Sequence, residues 1–393
     1  MSNRVGIEVS IAVAEAVGLC DVDVVAAYPI TPQTHIVEHL ADLVAEGKLD
    51  AEYIAVESEH SAISAVMGAS ATGGRAFTAT ASQGLALMHE ILFAVSSLRL
   101  PVVMAVANRA VSAPINIWAD LSDVMPQRDT GWVQLFAENG QEAYDLMVQA
   151  FRLAEDHRVL LPVMVNLDGF TLSHMIEPIT MMERDEVRRF LPPIEPARLL
   201  DPDHPRSIGP FGAQDVYTEA KMQQEMALLR SEGVMEEIWQ DFEAQFGRRY
   251  RAVESYRTGD AEVVLVTMGA VSETARAAVD EMRDQGIAVG LVRIRMWRPL
   301  PQEQLRQALE GAKVVAVLDR MLTPGGTGGT GGPVGEALRS IFYDAPVRPR
   351  IYEVVAGLGG REINRRTFKE IVRQALAGQE QVRQFTLLDV RCA

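Results

Sequence analysis

Five polar groups in the first half of the chain each come directly after an apolar run: Thr31, Glu59, the triplet Ser82-Gln83-Gly84, Arg109 and Asp168. Thr31 lies in Tyr28-Pro29-Ile30-Thr31-Pro32, behind Val24, Val25, Ala26 and Ala27, and the apolar residues after it (Ile36, Leu40, Leu43, Val44) keep helical spacing. The spacing predicts Thr31 as N-cap and Pro32 as first residue of a helix closed by Gly47. Free backbone N–H groups, the positive end of the helix dipole and a hydroxyl suit a small carboxylate there; the plainer reading is a cap and nothing more. Arg109 either clamps a carboxylate through two parallel hydrogen bonds or is neutralised internally by Asp120, Asp123 or Asp129. Glu59 heads a run of small residues (Ala62, Ala65, Gly68, Ala69). It is either an exposed first-turn carboxylate favoured by the helix dipole or a buried acid able to hold a proton for a ring nitrogen, with Glu57 as its competitor.

The elements that would position these groups alternate. Strands are expected at Val24–Ala27, Ile54–Val56, Ala76–Ala81, Leu100–Val106, near Val133 and at Leu161–Val165, separated by helices over 5–19, 32–46, 60–73, 85–97 and 141–154. Alternation of this kind means a doubly wound, open parallel sheet, in which ligands bind beyond the carboxyl ends of the strands. All five polar groups fall at that edge. Residues 1–175 read as this α/β domain. Residues 176–260 read as a connector: prolines cluster at 192, 193, 196, 202, 205 and 210, and a charged, amphipathic helix over about 214–246 reads as a strap between domains rather than a core element. Residues 261–393 read as a second α/β domain of the same type, with strands at Val263–Val266, Ile287–Ile294, Val314–Leu318 and Ile351–Val355.

Composition narrows the function. A chain of 393 residues carries 37 basic and 53 acidic side chains, a net charge of −16, which argues against nucleic acid or an anionic membrane as partner. Its two cysteines, Cys20 and Cys392, are too few and too far apart for a cluster, a structural zinc or a disulfide framework. That usage, the absence of a signal-like N-terminus and the lack of a membrane-length apolar run lead to a cytoplasmic expectation. The glycine-rich run at 324–332 lacks the Gly-Lys-Ser/Thr of a phosphate loop and reads as an interdomain or intersubunit loop. His35 and His39 stand four apart, without an apparent third ligand, and read as a helix surface.

Six segments together resemble the α chain of 2-oxoacid:ferredoxin oxidoreductases of the pyruvate synthase or phenylglyoxylate dehydrogenase type. They are Tyr28-Pro29-Ile30-Thr31-Pro32, Glu57-Ser58-Glu59, Thr78-Ala79-Thr80-Ala81-Ser82-Gln83-Gly84-Leu85, Ala107-Asn108-Arg109-Ala110, Ser122-Asp123-Val124-Met125 and Arg128-Asp129-Thr130-Gly131-Trp132. The resemblance implies a pyrimidine-binding domain for thiamine diphosphate followed by a transketolase C-terminal-like domain. It implies CoA-acylating oxidative decarboxylation of a 2-oxoacid, with low-potential electrons passed to ferredoxin or another carrier. It further implies that Glu59 hydrogen-bonds the aminopyrimidine ring nitrogen, that Pro29, Ile30, Ser82 and Gln83 line the cofactor, and that Thr31 and Arg109 hold the substrate carboxylate. The chain has no Gly-Asp-Gly segment followed by Asn of the diphosphate and metal motif and no cluster cysteines. Mg²⁺, the diphosphate half-site and the [4Fe-4S] clusters are therefore expected on β-, γ- and δ-type partner subunits.

One departure bears on the substrate. Pyruvate-type members commonly carry Asn-Asp-His before Ser-Asp, where this chain has Ala119-Asp120-Leu121. If that loop lines the pocket, Ala119 and Leu121 favour an aromatic acyl group such as that of phenylglyoxylate; if it packs internally, pyruvate is the plain expectation. Two further roles stay open: a decarboxylase or transketolase-like subunit without CoA chemistry, and a non-catalytic assembly subunit.

Overall fold

The computed structural model describes residues 3–194, 200–201, 203–326, 331–377 and 385–391. The first unit runs β1 (Asn3–Glu8), α1 (Val9–Leu19), β2 (Val24–Ala27), α2 (Thr34–Ala45), β3 (Glu52–Ala55), α3 (Glu59–Ala71), β4 (Ala76–Thr80), α4 (Ser82–Ser97), β5 (Val102–Asn108), β6 (Val133–Phe136), α5 (Gly140–Glu155), β7 (Val163–Asp168), β8 (Ile176–Met181), α6 (Arg184–Phe190) and α7 (Gln214–Phe246). The second runs β9 (Val253–Tyr256), β10 (Val263–Met268), α8 (Val271–Asp284), β11 (Val289–Ile294), β12 (Met296–Arg298), α9 (Gln302–Leu309), β13 (Val314–Asp319), α10 (Pro333–Phe342), β14 (Arg350–Val355), α11 (Arg365–Leu376) and β15 (Phe385–Leu387).

Apolar runs buried on both faces become parallel strands covered by helices on each side. β5, Val-Val-Met-Ala-Val-Ala-Asn, is buried along its whole length. The first sheet has seven strands in the order β12-β6-β7-β5-β4-β2-β3, all parallel except β12, and the second has six in the order β15-β14-β13-β10-β11-β9, all parallel except β9. Both are open, doubly wound sheets, as the sequence pattern indicated. In the first, β2 has β3 on one side and β4 on the other. The chain order runs outward from that point in both directions, so a crevice opens beyond the ends of β2 and β4.

Three apolar cores hold these layers. One joins α1, α2, α5 and α7 to one face of the first sheet. A second joins α3, α4 and the 121–136 segment to the face of the second sheet carried by Val264, Val266, Val292 and Val315, so the two units share it. The third lies between α8, α11 and the far face of the second sheet. Among the described residues no helix is long and apolar enough to cross a membrane.

Four expectations are corrected. Residues 5–8 are strand rather than helix: the alternation of Val5 and Ile7 pairs β1 antiparallel with β8, a partner too distant in sequence for local pattern to reveal. The stretch from 176 begins with that strand and with α6, so it is not extended throughout; Pro196 and Pro202 lie outside the described residues. The charged helix α7 is core-forming on one face, burying Ala227, Val234, Met235, Ile238, Trp239 and Phe242, with the Trp239 indole donating to Gln149 Oε1 at 3.0 Å. Finally, α2 begins at Thr34, so Thr31 is not its N-cap. Gln33 turns the chain first, its Nε2 donating to Tyr28 O at 2.8 Å. Residues 327–330, the middle of the glycine-rich run, lie outside the described residues.

Candidate active site

Glu59 is the first residue of α3, placed there by Ser58, whose Oγ accepts the Ser61 N–H at 3.2 Å. Its side chain is buried, with 7 % of its surface exposed, and among the described residues no donor reaches its carboxylate. Glu57, the competitor, is exposed and accepts from Ser61 Oγ at 2.5 Å. The small residues of α3 let α4 approach closely. A Cβ added at Gly84 would stand 2.6 Å from Glu59 Oε1 and 2.4 Å from Thr80 Oγ1. The Thr80 hydroxyl, like that of Thr78 on the same strand, is buried without a hydrogen-bond partner. A lone buried carboxyl beside orphaned hydroxyls in a sheet crevice fits a ring that both donates and accepts, as an aminopyrimidine does.

Ser82 opens α4 with φ +50°, a left-handed conformation for a residue with a side chain. Its hydroxyl donates to Ala110 O at 2.7 Å, and its N–H donates to Asp123 Oδ2 at 3.0 Å. The same oxygen accepts the Arg109 N–H at 2.9 Å, while Oδ1 accepts Val124 N–H and Asn108 Nδ2 at 2.8 and 3.1 Å. Burial pushes the Asp123 carboxyl up to about 7 against the pull of these donors. Asp123 thus ties the end of β5 to the start of α4. Sequence reasoning offered Asp123 as a counter-charge to the Arg109 guanidinium; Asp123 instead accepts the Arg109 backbone N–H, with the Ser82 and Val124 N–H groups and Asn108 Nδ2, partners that residue types do not advertise.

Arg109 and Thr31 come together, but through the backbone. Arg109 Nη1 donates to Thr31 O at 2.9 Å and Nε to Asn116 O at 2.8 Å. Among the described residues no carboxylate pairs with this guanidinium. Asp123 is occupied as above, Asp120 accepts from Ser122 and Gly359, and Asp129 lies 3.9 Å from Arg128 and within reach of the Arg298 charge. Burial holds the Arg109 guanidinium below its usual range, with Asp123 opposing. A buried guanidinium whose hydrogen bonds among the described residues run to carbonyls keeps its charge free to take a carboxylate. Thr31, Tyr28 and Pro29 are exposed at the mouth, Ile30 and Gln83 half-buried, and Ser82 fully buried.

The remaining candidates separate from this group. Ala119 and Leu121 are buried on the inner side of their loop: Ala119 O accepts from Arg320 Nη2 at 3.2 Å, Leu121 N donates to Arg320 O at 3.0 Å, and Leu121 joins the shared core. Asp168 is bound to Arg320 at 2.5 Å and accepts the Ala270 N–H at 2.8 Å. His39 pairs with Glu15 at 2.8 Å. Glu8, His35 and His174 bring ligating atoms within 4.8 Å of one another. His35 Nδ1 is already 2.6 Å from Glu8 Oε1, however, closer than two ligands of one tetrahedral ion stand, so the two side chains are hydrogen-bonded to each other.

A family model described as pyruvate flavodoxin/ferredoxin oxidoreductase, thiamine diphosphate-binding, matches residues 15–240, and one described as pyruvate:ferredoxin oxidoreductase core domain II matches residues 261–368. This chain belongs to the 2-oxoacid:ferredoxin oxidoreductases, as an α-type subunit. It is similar to the pyruvate synthase subunit PorA of Methanothermobacter thermautotrophicus, 49% identical over 92% of this chain and 93% of that one. It is likewise 49% identical to PorA of Thermotoga maritima, over 96% of this chain and 97% of that one. The fold of the oxidoreductase subunit matches that of a 2-oxoglutarate:ferredoxin oxidoreductase from Magnetococcus marinus, solved with 2-oxoglutarate, coenzyme A and succinyl-CoA. The TM-score is 0.73 at 18% identity, covering 95% of this chain and 66% of that one. The match over 15–240 makes the first unit a thiamine diphosphate-binding domain.

Proposed function

We propose that this subunit supplies the pyrimidine-side half of the cofactor site and the substrate-carboxylate clamp of a complex converting pyruvate and CoA to acetyl-CoA and CO₂, with the two electrons released passed to ferredoxin or a similar carrier. The carrying observation is the Glu59 carboxyl, buried, unpartnered and facing Gly84 and Thr80 in the switch-point crevice. There it holds a proton against the aminopyrimidine nitrogen, with Thr80 within reach and Ser82, Gln83, Pro29 and Ile30 along the wall. Thiamine diphosphate, when bound, supplies the electron sink that decarboxylation of a 2-oxoacid requires. Arg109, oriented by the Thr31 and Asn116 carbonyls, accepts the substrate carboxylate and fixes the keto carbon relative to that ring. Burial of these groups keeps water from competing.

Pyruvate is favoured over an aromatic 2-oxoacid because the proposed apolar lining is turned inward, Leu121 into the shared core and Ala119 buried against Arg320, and because the PorA relatives are named for pyruvate. In this reading the diphosphate, its Mg²⁺, the [4Fe-4S] clusters and the route to ferredoxin belong to β-, γ- and δ-type partners. The test is dye reduction by the purified complex with pyruvate or phenylglyoxylate, with and without CoA and thiamine diphosphate. Dependence on all three reactants is expected, with phenylglyoxylate the poorer substrate. CO₂ release without dye reduction would point to a plain decarboxylase, dye reduction without CoA to oxidation to the free acid, and faster turnover of phenylglyoxylate would remove pyruvate as the substrate.

A further inference from the structure

The substrate-side loop is held from the second unit. Residues 112–115 are exposed, Ile115 to 80 %, and the base of the loop is closed by Ala110 N donating to Trp118 O at 3.0 Å. Asn116 is its keystone. The Asn116 backbone carbonyl accepts Arg109 Nε at 2.8 Å, its Oδ1 accepts the Trp118 N–H at 2.7 Å, and its Nδ2 donates to Gly359 O at 3.0 Å. On the other side of the same glycine, Gly359 N donates to Asp120 Oδ2 at 2.9 Å, while Asp120 Oδ1 accepts Ser122 N and Oγ at 2.9 and 2.6 Å. Both backbone polar groups of Gly359 are therefore taken by the loop that orients Arg109.

The contact is built for glycine. Gly357, Gly359 and Gly360 have φ of +75°, +60° and +76°. A Cβ on Gly359 would stand 2.6 Å from Asn116 Nδ2, and one on Gly360 would stand 2.2 Å from Trp118 Cβ. Nothing with a side chain could bring this turn so near. We propose that the Gly357–Gly360 turn of the second unit is a working part of the carboxylate site, with Asn116 as the positioning residue through which it sets the direction of Arg109. The proposal rests on the reading of Arg109 as the substrate clamp. Its consequence is that substrate affinity depends on residues of a unit that carries none of the clamp.

The test is steady-state kinetics of the reconstituted complex with pyruvate as the varied substrate, for Asn116→Ala, Gly359→Ala, the double variant, and Arg109→Gln as reference. Each single variant is expected to raise KM about tenfold with kcat within about twofold, because a carboxylate clamp acts on ground and transition states alike. The double variant should be no worse than either single one, since both break the same contact. Thiamine diphosphate affinity should stay unchanged. A KM within twofold of the parent for either single variant overturns the proposal. So does a fall in kcat or a failure to assemble with KM unchanged, which would mark the contact as structural. If Arg109→Gln also leaves KM unchanged, the clamp reading itself fails; if Arg109→Gln raises KM and the other two do not, only the role of the glycine turn is lost.

Discussion

At Glu59 the telling fact is what the carboxyl does not touch. A buried acid without a donor or a cation is costly, and native structures keep few of them without a use. Glu57, two residues earlier, has solvent and the Ser61 hydroxyl. Burial, donors on the chain and the local turn thus decide between two identical side chains. Glu59→Gln is expected to lower kcat of the complex by about 10²- to 10⁴-fold, the range for removing a positioned proton-transfer group, while Glu57→Gln changes it less than about twofold. Dye-reduction rates on the two purified complexes check this; full activity of Glu59→Gln would leave only an assembly role for the subunit. Glu59 was legible in the sequence because it stands between a short apolar run and a run of small residues, which announces a helix start next to something close; the Ser58 cap that sets it there is seen in the structure. Asp123 and Asn116 were not, because each works by collecting backbone groups from segments that sequence spacing does not bring together.

Two helix starts carry the element-scale argument. In α4 the absence of a side chain at Gly84 leaves room for the Glu59 carboxyl. Gly84→Ala places a methyl against Glu59 Oε1 and Thr80 Oγ1, neither of which can retreat freely from the packed α3–α4 contact. The expected result is a kcat lowered about tenfold to hundredfold with KM for pyruvate little changed, opposite in pattern to Gly359→Ala. In α10 the glycine-rich segment ends on carboxylates instead of an external anion. Asp319 accepts the Val334 and Gly335 N–H groups at 3.1 and 2.9 Å, and Glu353 accepts the Gly332 N–H at 2.5 Å. Burial and the neighbouring Glu353 push Asp319 up to about 8. A carboxyl raised in the folded state favours folding when protonated, so its contribution is complete below the unfolded value near 4 and is lost as pH rises through about 8. The melting temperature of the complex should fall between about pH 5 and 8, and Asp319→Asn should flatten that slope; an equal slope in the variant would exclude Asp319 as its source. The parallel strands were readable in advance because buried β-strands are short apolar runs. β1 was not, since its partner is distant in the chain; the amphipathic pattern of α7 was readable, but not that its apolar face completes the first core.

The whole molecule is less divisible than its two matched segments imply. β12, in the second segment, closes the first sheet by pairing with β6, and the second core draws residues from both units. Arg293 binds Glu142 at 2.5 Å and Glu138 at 2.8 Å across the same boundary. The deepest tie is Asp168 to Arg320, at the end of β7 in one unit and just after β13 in the other; both side chains are nearly fully buried, and Arg320 also holds the Ala119 carbonyl under the substrate loop. Breaking one partner of such a pair costs about 3–5 kcal/mol, because the remaining charge is stranded in a low-dielectric setting. Arg320→Met should therefore lower the melting temperature of the assembled complex by roughly 5–10 °C. It should also raise KM for pyruvate, since the inner face of the Arg109 loop loses its support. Adding Asp168→Asn to Arg320→Met removes the stranded charge and should recover much of the melting temperature. It should recover little of the KM, because neither neutral side chain restores the donor to Ala119. Separate behaviour of the two readouts is what distinguishes a boundary that only glues the units from one that also shapes the site; if stability and KM recover together, the ion pair is structural and the loop owes nothing to Arg320.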